Sequence, residues 1–247
     1  MKKIVIFGGT TEGRRLSREL SGRGGEIVVC VAREYGREAQ GECPGVTVLT
    51  GPKDRRDMGK VLKGAVLCVN ATHPYAVEAG ANLRSACEDV SVPYVRLLRP
   101  ASGTEGARVI MSADARDAAG YLAGTAGNIL LTTGAKELPC FAALDPSRLF
   151  PRVLPARDSL SACEDLGIPR RNVIAMQGPF SRELNEALIR QFHIAYLVTK
   201  DGGQEGGFPE KARAARNTGI PLILLKRPEE RGKPYEAVAV LCQEALS

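Results

Sequence analysis

The sequence predicts an α/β protein with two domains, each a mainly parallel β-sheet flanked by helices. Short apolar runs alternate with amphipathic helical patterns along the chain, which is typical of parallel strands joined by crossover helices. The alternation occurs in both halves, so the same architecture is used twice. With 247 residues, 44% hydrophobic and 25% charged, the chain has the length and the apolar content for two such cores.

The first half contains five candidate strands, each a short apolar run that ends near glycine, proline, asparagine or a charged residue. They are residues 3–7, 27–31, 46–49, 65–69 and 94–97. Between the first two strands, Leu16 and Leu20 lie one helical turn apart and give a helix a narrow apolar face. The glycines at positions 22, 24 and 25 end that helix.

The second half repeats the pattern with five further candidate strands. They are residues 129–132, 149–154, 173–176, 196–199 and 221–225. A helix is predicted over 184–192, where three apolar side chains share a face. The segment 99–106 is rich in residues that break regular structure, so we expect domains 1–106 and 107–247.

Charge and cysteine usage narrow the class of ligand. The formal net charge is +6, but the basic residues are dispersed, so a small acidic ligand is favoured over nucleic acid. The seven cysteines lack the spacings of metal sites and disulfide frameworks, so no metal is expected. No run approaches the roughly 18 apolar residues of a membrane span and no signal peptide is predicted, so a cytoplasmic protein is expected, without a membrane partner.

A glycine-containing loop follows the first strand and precedes a helix, which is the setting of a dinucleotide site. Its residues are Gly8, Gly9, Thr10, Thr11, Glu12 and Gly13. Glycines allow close approach of a pyrophosphate, and the helix N-terminus offers N–H groups and partial positive charge. Thr10 stands where the second glycine of the usual pattern belongs, so a tight turn without a nucleotide is the alternative.

The end of the second strand bears on which nicotinamide cofactor is bound. An arginine there pairs with the 2′-phosphate of NADPH, whereas an acid binds the ribose hydroxyls of NADH. Arg33 comes first and favours NADPH, while Glu34 beside it leaves NADH possible. The alternative is that Arg33 caps a solvated strand end.

Polar residues follow the fourth strand in the run Thr72-His73-Pro74-Tyr75. Pro74 suits the first turn of a helix, with Thr72 or His73 as its cap. Ligands of open α/β sheets bind at the carboxyl ends of strands, so Thr72 is a candidate cofactor contact and His73 a cofactor contact, substrate contact or proton donor. Tyr75 is a second candidate donor, and capping is the alternative role of His73.

Strand ends of the second half also carry polar residues. The candidates for substrate binding are Lys136, Ser181, Lys200 and Gly203, together with Arg96 of the first half. The two lysines can pair with carboxylates or phosphates. Solvated lysines, and a purely capping role for Ser181, are the alternatives.

Seven segments in a fixed order resemble the precorrin-6A reductase family of cobalamin biosynthesis. They are FGGTTEGRRL, VNATHPYA, VPYVRLLRP, LLTTGAKEL, PRVLP, MQGPFSRELN and LVTKDGGQEGGFPEKARAA. The resemblance implies two Rossmann-like domains with the site in the cleft between them. It also implies NADPH-dependent reduction of a double bond in precorrin-6A, or in its cobalt form, to the dihydro product.

The implied substrate is a corrin-pathway macrocycle with several acetate and propionate side chains. Arg96, Arg99, Lys136, Arg152 and Lys200, near predicted strand ends, are candidates to hold these carboxylates. Two positions depart from the family: Asn70 stands where members often have an acid, and Gly202 where they often have a serine. The second change puts a hydroxyl contact to the ligand in doubt but keeps the backbone N–H groups.

Two rival functions remain open at this stage. One is another NAD(P)-binding α/β oxidoreductase, such as those that use a Tyr-x-x-x-Lys pair on one helical face. The other is a non-catalytic NADPH-binding or tetrapyrrole-binding module, which would bind without turnover. For the protein that binds the macrocycle, a monomer or a weak homo-oligomer is expected.

Overall fold

The structure is a computed structural model that describes residues 2–99, 102–203 and 206–247. The chain divides into two compact units. The first contains residues 1–100 and Pro228–Ser247, and the second contains 101–227. Every strand pair in the described residues is parallel, as predicted.

The first unit begins with strands and helices in strict alternation. In chain order they are β1 (Lys3–Phe7), α1 (Thr11–Leu20), β2 (Glu26–Val31), α2 (Glu34–Gln40), β3 (Val46–Thr50), α3 (Arg55–Leu62), β4 (Ala65–Asn70), α4 (Val77–Asp89) and β5 (Tyr94–Arg96). The sheet order is β3-β2-β1-β4-β5. From β1 the chain adds β2 and β3 on one side of the sheet, and then β4 and β5 on the other side. The carboxyl ends of β1 and β4 are therefore the switch point, where ligands of doubly wound sheets bind.

The second unit is built in the same way around a longer sheet. In chain order its elements are β6 (Val109–Ser112), α5 (Ala115–Ala123), β7 (Asn128–Leu131), β8 (Leu149–Val153), α6 (Arg157–Asp165), β9 (Ile174–Ala175), α7 (Arg182–Gln191), β10 (Ile194–Lys200), α8 (Phe208–Thr218) and β11 (Leu222–Leu225), with 3₁₀ segments at Ala135–Phe141, Pro146–Arg148 and Arg170–Asn172. The sheet order is β6-β11-β10-β7-β8-β9. Helix α9 (Tyr235–Leu246) follows and belongs to the first unit.

The central strands bury both faces because side chains alternate across a sheet. In β1, Ile4 and Ile6 pack in one core layer with α1 and α9, whereas Val5 packs on the opposite face with α3 and α4. In β7, Leu131 packs with α5 and α6, whereas Leu130 packs with α7 and α8. Each unit therefore has two core layers around its own sheet.

The ten predicted strands are all present, most of them within two residues of the predicted ends. One strand was missed, β6, because its short apolar run directly follows a breaker-rich segment and lies at a sheet edge. The helix predicted over 184–192 begins earlier, at Arg182, because Ser181 caps it.

The predicted domains 1–106 and 107–247 put the last helix, α9, in the second domain, whereas in the structure it belongs to the first unit. Val238, Cys242 and Leu246 of α9 are buried in the same cluster as Ile4 of β1. The returning chain also pairs beside the end of β5, where the Lys233 N–H donates to the Arg96 carbonyl at 2.9 Å. Residues 228–247 therefore complete the first unit, and the second ends at 227.

Candidate functional site

The loop between β1 and α1 depends on two glycines for its conformation and its packing. Gly9 has φ of +103°, a conformation that residues with a side chain rarely adopt. At Gly13, an added Cβ would lie 3.0 Å from the Ala71 Cβ and 3.4 Å from the Gly8 Cα. The first turn of α1 therefore packs directly on the ends of β1 and β4, as in dinucleotide-binding loops.

Thr10 stabilises this loop from inside. Its hydroxyl accepts a hydrogen bond from the Gly13 N–H at 3.3 Å and donates one to the Ala71 carbonyl at 2.8 Å. It is the N-cap of α1, and Thr11 is the first helical residue. Because the Thr10 hydroxyl is used within the protein, a phosphate at this loop would meet the backbone N–H groups of the first turn instead.

Glu12, in the same turn, pairs with Arg99, whose Nη2 lies 2.5 Å from the Glu12 Oε2. Burial of Glu12 acts to raise its pKa, but the hydrogen bond and positive charge of Arg99 outweigh it, so the pKa of Glu12 is lowered. The Glu12 carboxylate is thus ionised, and the positive charge of Arg99 balances it. Arg99, predicted to hold a substrate carboxylate, is held by Glu12 in this structure.

Arg33 lies just beyond the carboxyl end of β2, at the N-cap position of α2. Its side chain is exposed and makes no capping hydrogen bond. Glu34, which favoured NADH, lies 3.8 Å from Arg37 in an exposed ion pair. Arg33 therefore lies at the carboxyl end of the strand beside β1 and does not cap α2 through its side chain.

Asn70, at the end of β4, organises a buried polar network. Its Oδ1 accepts from the Thr72 N–H at 3.1 Å, the Thr72 hydroxyl at 2.8 Å and the Arg96 Nη1 at 2.7 Å. Arg96 Nη2 pairs with Glu230 at 2.7 Å, and its side chain is only 6% exposed. Arg96, a predicted substrate contact, thus holds the returning chain against the sheet.

A pocket of about 180 Å³ opens beside this network, within the first unit. Arg84, Arg96 and Glu230 are among its lining residues, and the Arg84 guanidinium lies 4.7 Å from the centre of the Tyr94 ring. Its size suits a small polar group rather than a whole macrocycle.

His73 and Tyr75 lie in a turn between β4 and α4. The prediction that Thr72 or His73 caps the next helix is wrong, because α4 begins at Val77 and Ala76 is its N-cap. Residues 73–76 instead form a turn closed by the Ala76 N–H and the His73 carbonyl at 2.9 Å. The imidazole is exposed, its Nδ1 accepts from the Tyr75 N–H at 3.4 Å, and the two rings lie 5.5 Å apart.

The predicted residues of the second unit follow the carboxyl ends of β7, β9 and β10. Lys136 is exposed, while the neighbouring Glu137 accepts from the Lys200 Nζ at 2.5 Å. Ser181 is the N-cap of α7 and accepts from the Leu184 N–H at 3.2 Å, which confirms its capping role. Parallel strands bring these loops to one edge of the sheet.

Tyr196 and Lys200 have the Tyr-x-x-x-Lys spacing of some NAD(P)-dependent reductases. Both lie in β10, however, so they do not share a helical face. The Tyr196 ring packs edge-on against Tyr121 at 6.3 Å. This spacing therefore does not build the catalytic pair of those enzymes.

In the described part of the chain, no group of three or more His, Cys, Asp and Glu side chains is placed to hold a metal ion. The seven cysteines are all free thiols. Within the same residues, no helix combines the length and the apolar character needed to cross a membrane.

Comparison with known proteins shows which family this chain belongs to. The family model described as precorrin-6x reductase CbiJ/CobK matches residues 3–245. The chain belongs to this family. It is accordingly an oxidoreductase of cobalamin biosynthesis, as the sequence resemblance implies.

Several relatives of this precorrin-6x reductase family member align over most of its length. The cobalt-precorrin-6A reductase of Methanothermobacter thermautotrophicus is 34% identical over 92% of this chain and 76% of the relative. That of Priestia megaterium is 32% identical over 94% and 93%. The solved structure titled CobK precorrin-6A reductase superposes with a TM-score of 0.77 at 23% identity, covering 99% of this chain and 98% of that one. This structural match supports the fold.

One buried charged residue of the second unit is not among the residues predicted from the sequence. Asp201, after β10, accepts from the Ser102 N–H at 3.1 Å and the Gly203 N–H at 3.0 Å, and pairs with Arg227 at 2.9 Å. Burial acts to raise its pKa, but these backbone hydrogen bonds outweigh it and lower the pKa of Asp201. Only its place in the turn after a strand could have indicated it.

Proposed function

We propose that the chain reduces a ring double bond of precorrin-6A, or of its cobalt form, with NADPH as hydride donor and NADH as a poorer substitute. The observation that carries the cofactor proposal is the β1–α1 loop, where Gly9 has a positive φ and open space around it, and Gly13 lets the first turn of α1 pack closely against Ala71. The exposed Arg33 at the end of β2 supports NADPH.

In this proposal the loop residues Gly8, Gly9, Thr10, Thr11, Glu12 and Gly13 hold the pyrophosphate through backbone N–H groups, and Thr72 borders the same site. When bound, the nicotinamide supplies the hydride. Arg33 pairs with the 2′-phosphate and so fixes one end of the cofactor. The contribution of these residues is orientation, which sets the reacting carbon of the substrate against the donor.

Reduction of a carbon–carbon double bond also needs a proton at the neighbouring carbon. His73 and Tyr75 are the proposed donors, because the turn after β4 exposes the imidazole near the switch point of the first sheet. Water or a substrate carboxylate remains the alternative donor. Lys136, Ser181, Lys200 and Gly203 are proposed to contact the carboxylate-bearing substrate at the second sheet.

The names of the relatives at 34% and 32% identity favour the cobalt-containing substrate. The test is an anaerobic assay of the purified protein with each form of precorrin-6A and with NADPH or NADH. We expect cofactor oxidation together with a product heavier by two hydrogens, and faster turnover with NADPH. Binding of both ligands without oxidation of either cofactor would instead support a non-catalytic binding module.

A further inference from the structure

Two basic side chains are buried in the second unit. Arg152, in β8, is 7% exposed, and Lys211, in the first turn of α8, is 6% exposed. Lysine and arginine are almost never fully buried unless they are paired. Yet neither forms an ion pair with any carboxylate in the part of the chain that the structure describes.

Arg152 is held rigidly by its neighbours. Its Nη1 donates to the Asn185 Oδ1 at 2.7 Å, and its guanidinium lies 4.0 Å from the centre of the Phe180 ring. Asn185 is itself fully buried and donates to the Ser181 carbonyl at 2.7 Å. The guanidinium of Arg152 has five N–H donors, and Asn185 accepts from one of them. Most of the donors of Arg152 therefore remain for another acceptor.

Lys211 shares this environment. Burial and the nearby charge of Arg152 lower the pKa of Lys211 to about 7, against the opposing influence of Asp201. The Asp201 carboxylate is already engaged by Ser102, Gly203 and Arg227. Its single negative charge is therefore not available to neutralise both Arg152 and Lys211.

The two cations lie where ligands of parallel sheets bind. Arg152 is the penultimate residue of β8, and Phe180 and Asn185 bring the loop after β9 and the first turns of α7 against it. Lys211 follows the loop after β10, its N–H bonded to the Gly207 carbonyl at 3.2 Å. Both are at the carboxyl edge of the second sheet.

Uncompensated buried charge is costly, and an oxyanion is the group that relieves this cost. We propose that Arg152 and Lys211 form a binding site for an oxyanion, a carboxylate or a phosphate, at the carboxyl edge of the second sheet. The planar guanidinium would bind two oxygens of the anion and the ammonium a third. Assignment of the anion to a substrate carboxylate rests on the proposed function, whereas the site itself does not.

The first test needs no turnover. Inorganic phosphate and, separately, succinate are titrated into the full-length protein by calorimetry at low ionic strength. Wild type is expected to bind at least one of them saturably. Arg152→Gln and Lys211→Met are each expected to weaken binding by about tenfold or more, because each removes a charge-assisted contact. Arg213→Gln, an exposed basic position on the same helix, is the matched control and should change binding little.

Thermal unfolding shows whether each variant folds, and whether an anion still stabilises it. Because Lys211→Met removes a buried amine that forms no ion pair with the carboxylates of the described residues, it is expected to raise the Tm without anion and to abolish the further rise that phosphate or succinate causes in wild type. A lowered Tm with an unchanged anion-dependent rise would overturn the site, as would wild type that binds neither probe.

An activity assay with the macrocycle and NADPH shows which of these two ligands supplies the anion. A raised KM for the macrocycle in Lys211→Met, with unchanged NADPH binding, assigns the site to a substrate carboxylate. Weakened NADPH binding with an unchanged macrocycle KM assigns it to a cofactor phosphate. If phosphate or succinate binding is lost while both parameters stay unchanged, the site holds an adventitious ion only and the proposal fails.

Discussion

Arg33, the N-cap residue of α2, and Arg37, in its last turn, are two exposed arginines in different positions relative to β2. Arg33 immediately precedes the helix at the carboxyl end of β2, whereas Arg37 lies one turn later, beside Glu34. Two side chains of the same type, four residues apart, therefore have different expected roles. This pair allows the cofactor preference to be tested with an internal control.

Arg33→Ala is expected to raise the KM for NADPH by about tenfold to a hundredfold, because a charge-assisted contact to the 2′-phosphate contributes about 1.5–3 kcal/mol. The KM for NADH, which has no such phosphate, should stay within about twofold. Initial-rate measurements with both cofactors at saturating macrocycle give these values.

Arg37→Ala removes another exposed charge nearby and should leave both KM values nearly unchanged. Equal weakening of NADPH and NADH by Arg33→Ala would remove the assignment of Arg33 to the 2′-phosphate.

At the scale of elements, α9 shows how one helix can complete a core begun at the other end of the chain. Val238 is fully buried against the first sheet, while Val240, on the opposite face of the helix, is 52% exposed. The Tyr235 hydroxyl at its start donates to Glu19 of α1 at 2.8 Å. The helix is thus fixed to the first unit by apolar contacts and by a specific hydrogen bond.

Val238→Ala is expected to lower the free energy of unfolding by about 1–3 kcal/mol, since it removes two buried methyl groups and leaves a cavity. Val240→Ala, on the exposed face, should cost less than about 0.5 kcal/mol. Urea unfolding followed by circular dichroism measures both. Equal costs for the two variants would contradict the packing of α9 described here.

Strand positions could be predicted because the pattern of apolar runs reports directly on burial, as in β1 and β7. The packing partner of α9 could not, because Val238, Cys242 and Leu246 show only that a helix has an apolar face. From the sequence, a pyrophosphate site is proposed where a loop has a recognisable pattern, at Gly8–Gly13, and Arg152 is a candidate to hold a substrate carboxylate, but Lys211 is not among the candidates. Nothing in the sequence around Arg152 or Lys211 indicates that these side chains are withdrawn from solvent.

At the scale of the whole molecule, Asp201 fixes both ends of the second unit. One carboxylate accepts from the N–H of Ser102, near the start of that unit, and pairs with Arg227, its last residue. The Arg227 Nε also donates to the Asp201 carbonyl at 3.2 Å. Both segments that leave the unit are thereby tied to the loop after β10.

Asp201→Asn is expected to lower the free energy of unfolding at pH 7 by about 2 kcal/mol, because it replaces a buried charge-assisted acceptor. The lowered pKa of Asp201 means that the ionised form stabilises the folded state above the pKa of the unfolded chain, about 3.9, and that this contribution is lost as the pH falls through the folded value. The deficit of the variant should therefore shrink below about pH 4. Urea titrations across this range measure it.

Asp165→Asn, at an exposed position, is the control and should show no such pH-dependent deficit. A deficit of Asp201→Asn that stays constant down to the most acid conditions would show that its charge is not what holds the two segments.

The packing of α9 on the first sheet also affects the order in which the protein can fold during translation. A ribosome releases the strands around Ile4 before it releases Val238 and Leu246, so the face of the sheet that α9 covers stays uncovered until the whole second unit has been translated. The second unit is continuous in sequence and can fold during that interval, since domains generally fold as units as they emerge. The core layer between β1 and α9 is consequently completed only after the second unit has been translated.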